Sequence, residues 1–290
     1  MQWQTDWGLR ARMALTMFLL FGLYVVFVGV LTAYFENLLI PVVLLGSFSL
    51  VQYFFSDRLA LRSMDATRVD PSEYPRLHDR VGRLSQQADL PKPDVAVADS
   101  RTPNAFATGR SPDSAVVCVT TGLLEALGDD ELEGVLAHEL AHVKNRDVAV
   151  MTIASFLSTI AFLVVRFGWL FGGRNRNGAP VVVAIVVSLV VWVVSFLLIR
   201  ALSRYREFTA DRGAATITGR PSALASALAT ISGRMDRVPE EDLREQAEMN
   251  AFFIIPISTG IVGRLARTHP PTEKRIEQLR ELEREMETVA

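Results

Sequence analysis

The sequence predicts a membrane α+β protein, mainly helical, with four transmembrane helices in two hairpins and a water-facing part that contains a small β-sheet. Three observations lead there. Half of the 290 residues are hydrophobic while 21% are charged, the mixture expected of a membrane protein with a large polar portion. The apolar residues are concentrated in runs without a charged side chain: Met13 to Phe35, Leu38 to Phe55, Val148 to Val165 and Ala179 to Ile199. Short apolar stretches of strand character separate the second run from the third.

Each apolar run reaches about 18 residues or more, the length that carries a helix across a hydrocarbon layer of about 30 Å. Four such runs exceed what the buried helices of a soluble domain of this size require. The first is too long for a cleavable signal peptide, lacks a small-residue cleavage pattern and meets the second after only Glu36 and Asn37, which predicts a tight hairpin. Basic residues set the orientation. Arg10 and Arg12 precede the first run, Arg58 and Arg62 follow the second, Lys144 and Arg146 precede the third, and Arg200, Arg204 and Arg206 follow the fourth. The outer connections carry none in one case and Arg174 and Arg176 in the other. This places both termini and the water-facing region in the cytoplasm of a multi-pass protein of the cell membrane. Arg166, near the outer end of its run, is expected to snorkel to the interface.

The expected organisation is an N-terminal hairpin over 1–62, a first cytoplasmic part over 63–147, a second hairpin over 148–199 and a second cytoplasmic part over 200–290. The first cytoplasmic part opens with a polar linker, Ser63 to Pro71. Tyr74 to Ala88 reads as an amphipathic helix, with Leu77, Val81 and Leu84 on one face. Val95 to Ala98, Ala105 to Thr108 and Ala115 to Thr120 read as strands, and Gly109 to Asp113 as the turn joining the last two. In the second part, helices are expected over Arg200 to Ile217 and Pro221 to Met235. Glu240 to Glu248 is acidic and exposed. Asn250 to Val262 is apolar but too short to span, so it reads as a membrane-surface or cleft-covering segment. The tail, Thr272 to Glu287, is a charged helix whose charges read as a solvated face.

Net charge is −2, so nothing in the charge balance suggests nucleic-acid binding. The single cysteine, Cys118, excludes an internal disulfide and sits in an apolar run where a buried strand residue is expected.

The chemistry begins at His138-Glu139-Leu140-Ala141-His142. On a helix, residues four apart share a face, so two imidazoles at this spacing grip one metal ion while Glu139 stands close enough to activate a metal-bound water. Gly128-Asp129-Asp130 supplies an N-terminal cap, and the following residues are helix formers apart from Gly134. A catalytic zinc needs a third protein ligand and one open position. His78, His269 or a carboxylate can fill that role, and Glu207 is the best of these, because Glu207 and Asp211 are four apart on one helical face. Asp211 would then accept the second ring N–H of a ligand histidine. The alternative is a pair of solvated acids beside Arg204, Arg206 and Arg212. Topology favours the ligand reading. His142 lies six residues before the third run and Glu207 eight after the fourth, so both stand roughly 9–12 Å beyond the same membrane surface if the helices continue.

Taken with Val143 to Asp147, Ser203 to Asp211, Pro103 to Gly109 and Thr268 to Ile276, this motif resembles the HtpX family of membrane zinc metallopeptidases, relatives of the CAAX prenyl endopeptidases. The resemblance covers nearly the whole chain and implies a zincin-like catalytic domain. It implies that His138, His142 and Glu207 bind one zinc ion per chain and that Glu139 is the catalytic acid/base. It also draws attention to Asn104, as a binder of substrate backbone or merely a turn residue, and to His269, as an oxyanion donor or a turn cap. His78 reads as structural. The activity expected is cleavage of unfolded or misassembled membrane proteins at the cytoplasmic membrane face, with substrate paired to the sheet edge around Ala105–Gly109. A CAAX-type processing peptidase and a non-catalytic metal-stabilised scaffold are the alternatives. Cleavage within the bilayer is disfavoured, because Asp129, Asp130, Glu131, Glu133, Lys144, Arg146 and Asp147 flank the motif.

Overall fold

The computed structural model describes residues 7–34, 47, 50–51, 53–171, 179–235 and 270–289. The chain divides into two compact units, one formed mainly by Phe55–Val148 and Arg206–Ala290, the other by Asp6–Phe54 and Ala149–Tyr205. In chain order the elements are α1 (Trp7–Tyr34), α2 (Ser56–Ser63), β1 (Ala66–Arg68), α3 (Pro75–Gln87), β2 (Asp94–Ala98), β3 (Ala105–Thr108), β4 (Val116–Thr120) and α4 (Thr121–Ala126). They continue with α5 (Asp129–Lys144), α6 (Asp147–Phe171), α7 (Ala179–Thr218), α8 (Pro221–Met235) and α9 (Thr272–Val289).

The first unit is built around a four-stranded mixed sheet in the order β1-β2-β4-β3. β2 and β4 are parallel, whereas β1 and β3 run antiparallel to their neighbours at the two edges. Side chains alternate across a strand, so each strand feeds two cores. Val95, Val97, Val117 and Val119 join the apolar face of α3 (Leu77, Val81, Leu84) and the α5 residues Leu132, Val135, Leu136 and Leu140 in one core. Ala96, Ala98, Phe106, Val116 and Cys118 form the other with Ala60, Leu61 and Met64. Cys118 is completely buried as expected, and burial pushes its thiol up to about 12. The stretch expected to be a polar linker, Ser63 to Pro71, contains the edge strand β1. Its three residues are too few and too polar to show a period, and pairing with β2 alone defines them.

Helix α5 is buried at every position from Gly134 to Ala141, so its central turns carry no amphipathic stripe. The Glu131 carboxylate accepts the Gly128 N–H at 3.0 Å and the hydroxyls of Ser226 and Thr230 at 2.6 and 3.0 Å, tying the start of α5 to α8. Gly134 is the one weak helix former in α5, and packing explains it. A Cβ there would stand 2.8 Å from the backbone nitrogen of Leu224 and 3.0 Å from its Cα, so the glycine lets α5 and α8 approach backbone to backbone. In the β3–β4 turn, Gly109 has φ of 121°, a conformation that only glycine adopts readily.

The second unit contains most of α1, α6 and α7. Among the described residues, three helices are long and apolar enough to cross a membrane: Trp7–Thr32, Asp147–Arg166 and Val182–Thr218. The expected second run, 38–55, lies largely outside the described residues, as do Glu240–Glu248 and Asn250–Val262. Leu20, Tyr24, Phe27 and Leu31 pack against Ala154, Ile160, Ala161, Ala184 and Val191, and the Tyr24 hydroxyl donates to the Ala154 carbonyl at 2.7 Å. Ala184, Ser188 and Ser195 are buried on α7, small residues that allow close helix contact. Phe18, Phe21, Val26, Ile153 and Leu197 point outward and are exposed, the arrangement suited to a lipid surround.

Replacing Gly134 with alanine should force α5 and α8 apart and lower stability by about 1–3 kcal/mol. Gly233, whose Cβ position is open, should accept alanine without loss. Thermal unfolding of the two variants in detergent checks this, and an equal effect at both positions would refute the packing argument.

Candidate metal centre

The helix α5 places His138 and His142 one turn apart, as the four-residue spacing requires. Their rings meet edge to face at a centroid separation of 4.6 Å, and the two Nε2 atoms are 3.1 Å apart. Glu207 reaches the same point from α7. Its Oε2 lies 3.6 Å from Nε2 of His138 and its Oε1 3.6 Å from Nε2 of His142. Among the described residues, these three form the cluster able to hold a metal ion.

The donor set fits zinc. Two imidazoles and one carboxylate are a catalytic zinc set, and ligands about 2.0–2.1 Å from a tetrahedral ion stand about 3.3 Å from one another. The observed separations of 3.1, 3.6 and 3.6 Å surround that value. The outer ring nitrogens are held so that both Nε2 atoms face inward. His138 Nδ1 lies 3.0 Å from Asp211 Oδ1, the contact expected from the Glu207–Asp211 spacing. His142 Nδ1 lies 2.5 Å from Asp147 Oδ2, a partner not anticipated from the sequence. A carboxylate accepting the Nδ1 hydrogen fixes the tautomer with its lone pair on Nε2.

Burial disfavours charge on His138, as does the Arg275 guanidinium, but hydrogen bonds to Asp211 and Glu207 and the charge of Asp211 outweigh both and lift its pKa to about 9. His142 is pushed down to about 4, first by burial and then by the charge of His138. The pair therefore shares one proton near neutral pH, carried on His138.

Glu139 is buried beside the pair, and burial is the main cause that raises its carboxyl. Its Oε2 accepts the backbone N–H of Ala107 at 2.8 Å. That N–H belongs to the edge strand. Asn104 O accepts from Thr120 N, so by antiparallel alternation the backbone groups of Ala105 and Ala107 face away from β4 toward the open edge.

The tail helix departs from its expected solvated character at one position. Arg275 is 1% exposed, and it grips Asp211 in a bidentate pair, with Nε 2.9 Å from Oδ2 and Nη2 2.6 Å from Oδ1. Its Nη1 is 3.3 Å from Glu207 Oε2. A run of mixed charges hides such a residue, because one buried arginine among exposed ones leaves the period unchanged. The remaining residues singled out from the sequence stand as follows. His78 is buried on α3 with Nε2 3.0 Å from the Val69 carbonyl, a structural contact. Asn104 has no exposed surface, and its backbone is engaged by Thr120 on both sides, so a substrate role for it rests on the resemblance and not on geometry. His269 lies outside the described residues.

Comparison with known proteins places the chain in a family. The sequence model of peptidase family M48 matches residues 71–283. The chain is 55% identical to "Protease HtpX homolog 2" of Methanosarcina acetivorans over 98% of its length and 99% of the relative's. It is 53% identical to "Protease HtpX homolog" of Moorella thermoacetica, covering 98% and 97% of the two chains. Among solved structures, Ste24p of S. mikatae superposes with a TM-score of 0.54 at 19% identity, over 94% of this chain and 66% of that one, a likeness of fold alone. By a family match that spans strands β2 to β4, the motif helix and all three cluster residues, together with full-length relatives above half identity, the chain belongs to peptidase family M48, among its HtpX-like members.

Proposed function

We propose that this protein is a zinc-dependent endopeptidase of the cell membrane that cleaves misfolded or damaged membrane proteins at the cytoplasmic face. Family membership implies a metal-dependent protease, usually with zinc. The observation that carries the finer reading is the convergence of His138 Nε2, His142 Nε2 and the Glu207 carboxylate, with Glu139 beside them and bonded to the edge strand. His138, His142 and Glu207 hold the ion. When bound, zinc would polarise a carbonyl and lower the pKa of a bound water toward about 7.

The chain's own residues do the rest. Glu139 takes the proton of the attacking water and returns it to the leaving amine. Burial keeps its carboxyl from being too weak a base, and the Ala107 N–H aims the oxygen. An extended substrate adds to the outer edge of β3 around Ala105–Gly109, where main-chain groups already face outward. Main-chain recognition reads any unfolded segment, which suits quality control over cleavage at one fixed sequence. The membrane arrangement we infer has four spans, with both termini and the site cytoplasmic. Supporting it are the three apolar helices and the basic residues grouped at one end of each hairpin.

Glu139→Gln should keep one zinc per chain and lose at least about a hundredfold in turnover of an unfolded membrane substrate, the usual size of a general-base contribution. Equal cleavage by both proteins would overturn the mechanism, and activity that survives chelation would overturn the metal reading. A second expectation concerns pH. Because the metal-free pair carries a proton on His138 below about 9, zinc uptake must expel it. Affinity should therefore rise with pH up to that value, about tenfold per unit for one proton. Calorimetric titrations in buffers of different ionisation enthalpy measure the released proton. An affinity independent of pH between about 6 and 9 would contradict the shared-proton picture.

A further inference from the structure

We propose that Asp147 and Arg206 are positioning residues for the metal site, forming an Arg206–Asp147–His142 relay that aims the second imidazole. The proposal rests on the zinc reading above and extends it to two residues outside the metal-binding set.

Asp147 follows His142 by five positions. On one continuous helix that spacing turns side chains about 140° apart, so the carboxylate would point away from the ring. The chain breaks the helix to avoid this. Helix α5 ends at Lys144, Arg146 adopts a positive φ of 54°, and a separate helix, α6, starts at Asp147. A non-glycine residue in that region is strained, by about 1 kcal/mol or more, and such strain persists where the surroundings impose it. The result is the 2.5 Å contact between Asp147 Oδ2 and His142 Nδ1.

Asp147 is held in turn. Its Oδ1 pairs with Nη2 of Arg206, which is 3% exposed. Arg206 immediately precedes the proposed third ligand, Glu207, so the same pair locates the backbone that delivers the carboxylate. The first imidazole has a matching arrangement, because Arg275 grips Asp211 and Asp211 faces His138 Nδ1. Each of the two histidines thus has its own carboxylate, and each carboxylate its own buried arginine. A buried ion pair is a poor source of stability, since apolar residues of similar volume hold a fold as well. Orientation of the ring explains its presence better. A carboxylate on Nδ1 fixes the tautomer and raises the basicity of Nε2, and losing such a partner weakens metal binding about 10–100-fold.

The test uses the full chain in detergent, as wild type, Asp147→Asn, Arg206→Met and the double variant. Zinc dissociation constants are measured by chelator competition, alongside thermal unfolding of the metal-free proteins and the visible spectrum after cobalt loading. Asp147→Asn should weaken zinc about 10–100-fold and alter the cobalt spectrum. Arg206→Met should weaken zinc by a smaller factor and have no further effect in the Asp147→Asn background, because it acts through Asp147. If Asp147→Asn does not fold, Asp147→Glu keeps the charge, displaces it by one methylene and should still weaken zinc. Unchanged zinc affinity and spectrum in folded Asp147 variants, with only the unfolding temperature lowered, would show a purely structural tie and overturn the proposal. Failure of the wild type to take zinc would overturn the metal reading itself, a separate result.

Discussion

The structure depends on holding two imidazole nitrogens 3.1 Å apart with both aimed at one point inside the protein. Left alone, that arrangement is unfavourable. Two Nε2 atoms repel, one proton settles between them, and a buried charge costs several kcal/mol unless it is paired. A four-residue spacing on a helix supplies the distance but neither the ring angles nor the tautomers. Those come from Asp211 and Asp147, each occupying one outer nitrogen, and from Glu207, which faces both inner ones.

The need to bury this cluster shapes the first unit. Helix α5 is covered along its whole central length by the sheet, by α3 and by α8, and Gly134 removes the side chain that would keep α8 at a distance. The edge strand β3 meets the helix at Ala107 and Glu139, so the element suited to hold a substrate also aims the proposed base. Arg206, Glu207, Asp211, Arg275, His138 and Glu139 are all buried. A cluster of that size is a weak source of stability, because apolar residues of similar volume often hold a fold as well.

The second unit obeys a different constraint. Its interior is small residues and aromatic packing, with Ala184, Ser188 and Ser195 inward on α7 and large apolar side chains outward. In water such an exterior would be costly, whereas a lipid surround makes it neutral and leaves close packing to hold the helices together.

Much of this was legible in the chain itself. Apolar run length announced three of the long apolar helices, the four-residue spacing announced both helical pairs, His138/His142 and Glu207/Asp211, and short apolar stretches bounded by turn residues announced β2, β3 and β4. These signals are local: each depends on the period of its own backbone. The strand β1, the close approach at Gly134, the burial of Arg275 and the contact of Asp147 with His142 were not readable there. Each is decided by a partner distant in sequence, or by a single left-handed residue, Arg146, that redirects the chain. The sequence by itself determined which atoms are chemically able to hold a metal and move a proton. Only the tertiary structure decided where they face, because orientation follows from packing and from long-range charge pairs, which no local period encodes.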